Sequence, residues 1–129
     1  MRKNPIREDK GSFRFRREER LKGRDAIREV FSKGRRIGCQ GAKLFMLKND
    51  LPCNRICFTF SRNYGTAVER NRAKRLGREA YRSLKPRLSE KARLEGGYDL
   101  IFLAYPDDLH HADRAGQLRH LLSRGGLLP

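Results

Sequence analysis

The chain has 129 residues, with 31 Lys and Arg against 15 Asp and Glu, a formal net charge of +16. A field of that size repels itself in the compact state, so a polyanionic partner is expected, and a nucleic acid fits first. The apolar runs are strand-length, short of the ~20 residues a membrane span needs, and the charged first ten residues do not read as a secretory signal.

Other features narrow the class. The acids Glu8, Asp9, Glu18 and Glu19 argue against a transit peptide. Cys39, Cys53 and Cys57 form no even disulfide framework, which suggests a reducing cytoplasm. The length fits one domain. Residues 1–12 read as a basic flexible arm and 13–129 as a single α/β domain.

In chain order, residues 24–33 are predicted as a short helix, with Ile27, Val30 and Phe31 on one stripe and Gly34 as its stop. Residues 42–48 read as a strand. So do 55–61, where Ile56, Phe58 and Phe60 share one face and Arg55, Cys57, Thr59 and Ser61 the other. The turn residues of 49–52 suggest that these two strands pair as an antiparallel hairpin with a long loop. Residues 66–84 read as the main helix, which Pro86 should end or kink, and 87–95 as a second short helix. The apolar run 98–105 reads as a central strand covered on both faces. Residues 109–123 read as a last helix, with Leu118, Leu121 and Leu122 inward and Gly125-Gly126 as its stop. The order helix, strand, strand, helix, strand, helix implies an α/β sandwich, a small mixed sheet with helices on it.

The main helix carries the strongest functional signal. On a helical wheel with Arg70 at zero, Lys74, Arg75, Arg78 and Arg82 fall between ~40° and ~140°, and Ala73, Leu76, Ala80 and Leu84 between ~240° and ~320°. Seven basic and two acidic residues lie between 66 and 85. Like charges four apart destabilise a helix by a few tenths of a kcal/mol each, a cost that phosphate binding would offset. Glu79 does not neutralise this ridge. Arg presents a planar fork to phosphate oxygens, and the Asn71 amide can reach a base edge, a 2′-hydroxyl or a hydrated metal ion.

The segment Thr66-Ala67-Val68-Glu69-Arg70-Asn71-Arg72-Ala73-Lys74-Arg75-Leu76-Gly77-Arg78-Glu79 resembles the signature of the bacterial ribonuclease P protein subunit. The stretch from Phe15 to Gly34, with Arg20-Leu21-Lys22 leading into Phe31, the Gly65 before the main helix, and Tyr98-Asp99-Leu100-Ile101 fit the same family, over roughly residues 13–122. The resemblance implies a ribosomal-protein-like α/β sandwich with an unusual left-handed βαβ crossover, against the general right-handed preference. It implies that Arg70, Asn71, Arg72, Lys74, Arg75, Arg78 and Arg82 dock on a catalytic RNA. It also implies a cleft for the 5′ leader of precursor tRNA, with Phe31, Phe45 and Ile27 lining it and Phe58 and Phe60 either lining it or in the core. The activity implied is removal of that leader in tRNA 5′ maturation, with the chemistry carried by the RNA subunit and Mg²⁺ and one protein monomer per RNA. The family usually has a larger aliphatic at Ala73, an aliphatic at Gly77 and a small residue at Cys57, and the 85–95 segment is longer than typical.

Protein-borne chemistry finds little support. No nucleophile elbow, P-loop or dinucleotide turn is present, and no acid–base pair is evident for cutting RNA. Zinc binding by Cys53 and Cys57 with His110, His111 and His120 would rest on a poor C-x₃-C spacing. Asp107, Asp108 and Asp113 read as a loop and helix cap. The competing classes are a ribosomal or other RNA-packaging protein, and a DNA-binding protein, for which no helix-turn-helix or zinc finger is found.

Overall fold

The computed structural model describes residues 17–106 and 114–128. Helix α1 (Arg24–Lys33) forms on the stripe expected of it. Val30 is fully buried, Ile27 is half-buried, and the Gly34 N–H closes the last turn on the Val30 carbonyl at 2.8 Å.

Four strands follow or flank it: β1 (Arg35–Cys39), β2 (Ala42–Lys48), β3 (Arg55–Phe60) and β4 (Tyr98–Ala104), in the order β1-β2-β4-β3. Strand β1 has no counterpart among the predicted elements. It lies at the sheet edge and buries only Ile37, so its polar sequence carries no alternating pattern to read. It forms the true hairpin of the fold with β2, across Gln40-Gly41. The hairpin expected between β2 and β3 does not exist. β4 inserts between them, antiparallel to β2 and parallel to β3. The near-continuous apolar β4 wins the central place because both of its faces find cover.

Helix α2 runs unbroken from Ala67 to Glu95 and joins β3 to β4 as the crossover. Thr66 caps it: its hydroxyl accepts from the Glu69 N–H at 3.1 Å, and the Glu69 carboxylate accepts from the Thr66 N–H at 2.8 Å. A side chain at Gly65 would collide with that carboxylate. Pro86 neither ends the helix nor splits off residues 87–95. Lys85 and Leu88 on either side of it are buried, and this anchoring outweighs the ~3 kcal/mol that an interior proline costs.

Helix α3 (Arg114–Arg124) buries Leu118, Leu121 and Leu122, as expected. It packs beside α2 on one face of the sheet, over Leu44, Met46, Ile56, Phe58, Leu100 and Phe102. The opposite face holds a smaller core of Leu21, Val30, Phe45 and Ile101 under α1. The apolar side of α2 is centred on Gly77, Ala80 and Tyr81, not on Leu76, which is 54% exposed. The wheel places Leu76 inward on hydrophobicity, but Gly77 gives the closer approach. A Cβ there would lie 2.7 Å from the Phe58 ring.

Two ion pairs fasten the ends of the elements. Lys85 meets Glu19 at 3.0 Å with both side chains buried, tying the 3₁₀ turn Arg17–Glu19 to α2. Beside it, Arg20 bridges in parallel to Ile56 and the Leu21 N–H reaches the Ile56 carbonyl at 2.9 Å. Asp99 accepts from Arg55 at 2.8 and 2.7 Å and from Asn49 at 2.9 Å. The expected basic arm over 1–12 and the Asp107, Asp108 and Asp113 cap lie outside the described residues.

Candidate nucleic-acid interface

The α2 ridge is a graded surface. Asn71, Arg72 and Arg75 are exposed or nearly so, and Lys74 and Arg78 are more enclosed. None of these five has a hydrogen bond or ion pair to another described residue. Arg82 differs, with Glu79 lying 3.4 Å away on the same exposed side.

Arg70 stands apart from the ridge. Its guanidinium turns back and donates to the Ser61 and Arg62 carbonyls at 3.2 and 2.7 Å. It pins the loop between β3 and α2, so only part of its donor capacity faces outward.

The aromatic residues separate by sheet face. Register pairs Phe45 and Cys57 with Ile101, on the α1 face, and Leu44 and Phe58 with Phe102, on the α2 face. Phe31 and Phe45 meet edge to face with centroids 4.8 Å apart, and Phe31 remains 40% exposed. Ile27 packs beside them. These three form one apolar ledge at the mouth between α1 and the sheet. Phe58 and Phe60 do not line it. Phe58 is core, edge to face with Phe102 at 6.0 Å, and Phe60 rests on Tyr64 at 4.7 Å. Strand alternation allows either face, and the close seat of Gly77 on Phe58 decides it.

Cys57 links ledge and ridge. It lies on the α1 face of β3, partly buried against the smaller core. Burial pushes its thiol pKa up, while the charges of Lys74 and Arg78 pull it down. Two ridge cations are therefore near enough for their charge to be felt by a thiol on the face that carries Phe45. The floor of that face is apolar, and the charge of the ridge reaches it. The signal was the side of 55–61 that holds Arg55, Cys57 and Thr59, which nothing in a single strand marks as floor.

Metal-ligand clusters are not formed by the described residues, where no three His, Cys, Asp or Glu side chains converge. Cys57 lies on the α1 face of the sheet, while α3, which carries His120, packs on the other, so these two do not meet, and His110 and His111 lie outside the described residues. No helix among the described residues is long and apolar enough to cross a membrane.

The chain resembles known proteins in sequence and in fold. The model of the family described as Ribonuclease P matches residues 15–125. The ribonuclease P protein component of Alkaliphilus metalliredigens is 32% identical over 111 residues, 84% of this chain and 95% of that protein. That of Natranaerobius thermophilus is 40% identical over 84 residues, 65% and 68% of the two chains. In fold, the chain resembles the Staphylococcus aureus RNase P protein with a TM-score of 0.73 at 21% identity, covering 86% of this chain and 98% of that one. By sequence and by fold alike, the chain belongs to the ribonuclease P protein component family.

Proposed function

We propose that the chain pairs with a ribonuclease P RNA through the α2 ridge and holds the 5′ leader of precursor tRNA on the ledge between α1 and the sheet. The observation that carries this is the half-exposed Phe31 set edge to face on Phe45, on the side of the sheet where the charges of Lys74 and Arg78 act on Cys57. Exposed rings stack on unpaired bases with little sequence preference, at ~1–3 kcal/mol per base. Cations alongside meet the phosphates that join those bases.

The bond-breaking step is assigned to the RNA partner. Mg²⁺ held by RNA phosphates would supply an activated water, and the exposed Asn71 amide could accept from or donate to a hydrated ion. The protein's own work is binding. It lowers the repulsion between two polyanions and orients the leader, so that less free Mg²⁺ is needed. One protein monomer per RNA is the stoichiometry proposed, in the cytoplasm.

The test mixes the protein with a ribonuclease P RNA and a precursor tRNA and follows 5′ cleavage as Mg²⁺ is lowered. The protein should extend cleavage to Mg²⁺ concentrations at which the RNA alone is inactive. Equal Mg²⁺ dependence with and without the protein overturns the proposal.

A further inference from the structure

Among the described residues, α1 covers only half of its face of the sheet, and the other half is built. The row Arg36, Phe45, Ile101 and Cys57 runs under α1, with Phe45 and Ile101 buried. The next row toward the carboxyl end of β4 is Gly38, Lys43, Leu103 and Thr59. Here Lys43, Leu103 and Thr59 are only half-buried, and Gly38 offers no side chain. Beyond it, Tyr105 continues the ladder, its N–H on the Gly41 carbonyl at 3.0 Å.

Two side chains of this region converge. The Lys43 ammonium lies 5.7 Å from the centroid of the Tyr105 ring. Lys43 has no hydrogen bond or ion pair to another described residue. The Tyr105 backbone is fixed, because the buried Arg114 donates to its carbonyl at 3.0 Å and to the Gly41 carbonyl at 3.1 Å. A half-exposed ring on a fixed backbone, with an ammonium beside it that has no anionic partner among the described residues, has the chemistry for an unpaired base and its phosphate.

We propose that Lys43 and Tyr105 form a second nucleotide subsite on the open floor, which takes a leader base on the Tyr105 ring and its phosphate on Lys43. The inference rests on the leader reading above and extends it along the sheet. Four residues of β4 separate Ile101 from Tyr105, about 13 Å at ~3.3 Å per residue. At ~3.4 Å per stacked nucleotide, that places the subsite roughly four nucleotides from the Phe31–Phe45 ledge. Short leaders end before it and long leaders reach it.

The experiment measures affinity of the reconstituted holoenzyme for precursor tRNAs whose leaders are trimmed one nucleotide at a time. With the wild-type protein, affinity should climb with leader length in two stages, one for the ledge and one for the subsite. Tyr105→Ala and Lys43→Ala should each remove the second stage, lowering the ratio of long-leader to short-leader affinity at least ~5-fold. Tyr105→Phe, which keeps the ring, should restore that ratio. If the wild type shows both stages and Tyr105→Ala keeps them, the subsite is overturned while the leader reading stands, and the pair is only a solvated surface contact. If the wild type shows no dependence on leader length, the leader reading falls and the subsite with it.

Discussion

Cys53 shows how one buried acid ties stability to pH. Burial pushes its thiol from the ordinary 9.0 up to about 11, with the Glu19 carboxylate adding to the rise and Arg55 opposing it. Between those two values the unfolded chain releases the proton and the folded chain keeps it. The folded state then binds more protons, so stability is fully present below pH ~9 and falls as pH climbs toward ~11. The loss is on the order of 2 kcal/mol, from ~1.4 kcal/mol per pKa unit. Urea midpoints at pH 8 and pH 10.5, compared between wild type and Cys53→Ala, check this. The variant should lose less stability than the wild type over that interval, and parallel losses would assign the alkaline sensitivity elsewhere. Tyr81, which burial holds well above its usual range, adds a loss of the same sign in both proteins.

At the scale of elements, the close seat of α2 on the sheet depends on a missing side chain. Gly77→Ala would gain ~1 kcal/mol of helix propensity. It would also drive a methyl group to within 2.7 Å of the Phe58 ring, which is itself wedged against Phe102. Overpacking of this kind costs ~1–3 kcal/mol, so the net expectation is destabilisation of about 1 kcal/mol, a fall of ~4–8 °C in Tm. Phe58→Leu in the Gly77→Ala background should recover part of that fall. A Gly77→Ala protein more stable than wild type would show that α2 is free to lift. The same helix marks where local patterns stop being informative. Its start was legible because Thr66 and Glu69 form a cap from nearest neighbours alone. Its end was not, because Lys85, Leu88 and Ala92 are buried, with Lys85 on Glu19 and the Leu88 carbonyl on Asn54, contacts remote in the chain that override Pro86. Strand β1 was invisible for a related reason: an edge strand with one buried residue has no period to display.

For the whole molecule, the sheet divides the work. One face is closed by α2 and α3 and holds the larger core, and the other is closed only in part by α1. The α2 ridge was legible residue by residue, since 3.6-residue periodicity alone puts Lys74, Arg75 and Arg78 together. Phe58 and Phe60 could not be told from Phe45, because the face a strand residue takes depends on which partners cover it. Arg70 illustrates the same limit, since its spacing places it with the ridge while its guanidinium is spent on loop carbonyls. That difference predicts two classes of ridge variant. Arg72, Lys74 and Arg75 have no partner among the described residues, so changing all three to Ala should leave thermal stability near wild type. It should flatten the dependence of log affinity on log salt by about 2 to 3, at ~0.7–0.9 for each phosphate no longer neutralised. Arg70→Ala should instead lower Tm by loosening the loop between β3 and α2, with a change in salt slope of less than ~1. Titrations against ribonuclease P RNA at several salt concentrations, paired with thermal melts, separate the two. An unchanged slope in the triple variant would mean that the exposed side of α2 meets no phosphates, and the RNA would have to dock elsewhere on this basic protein.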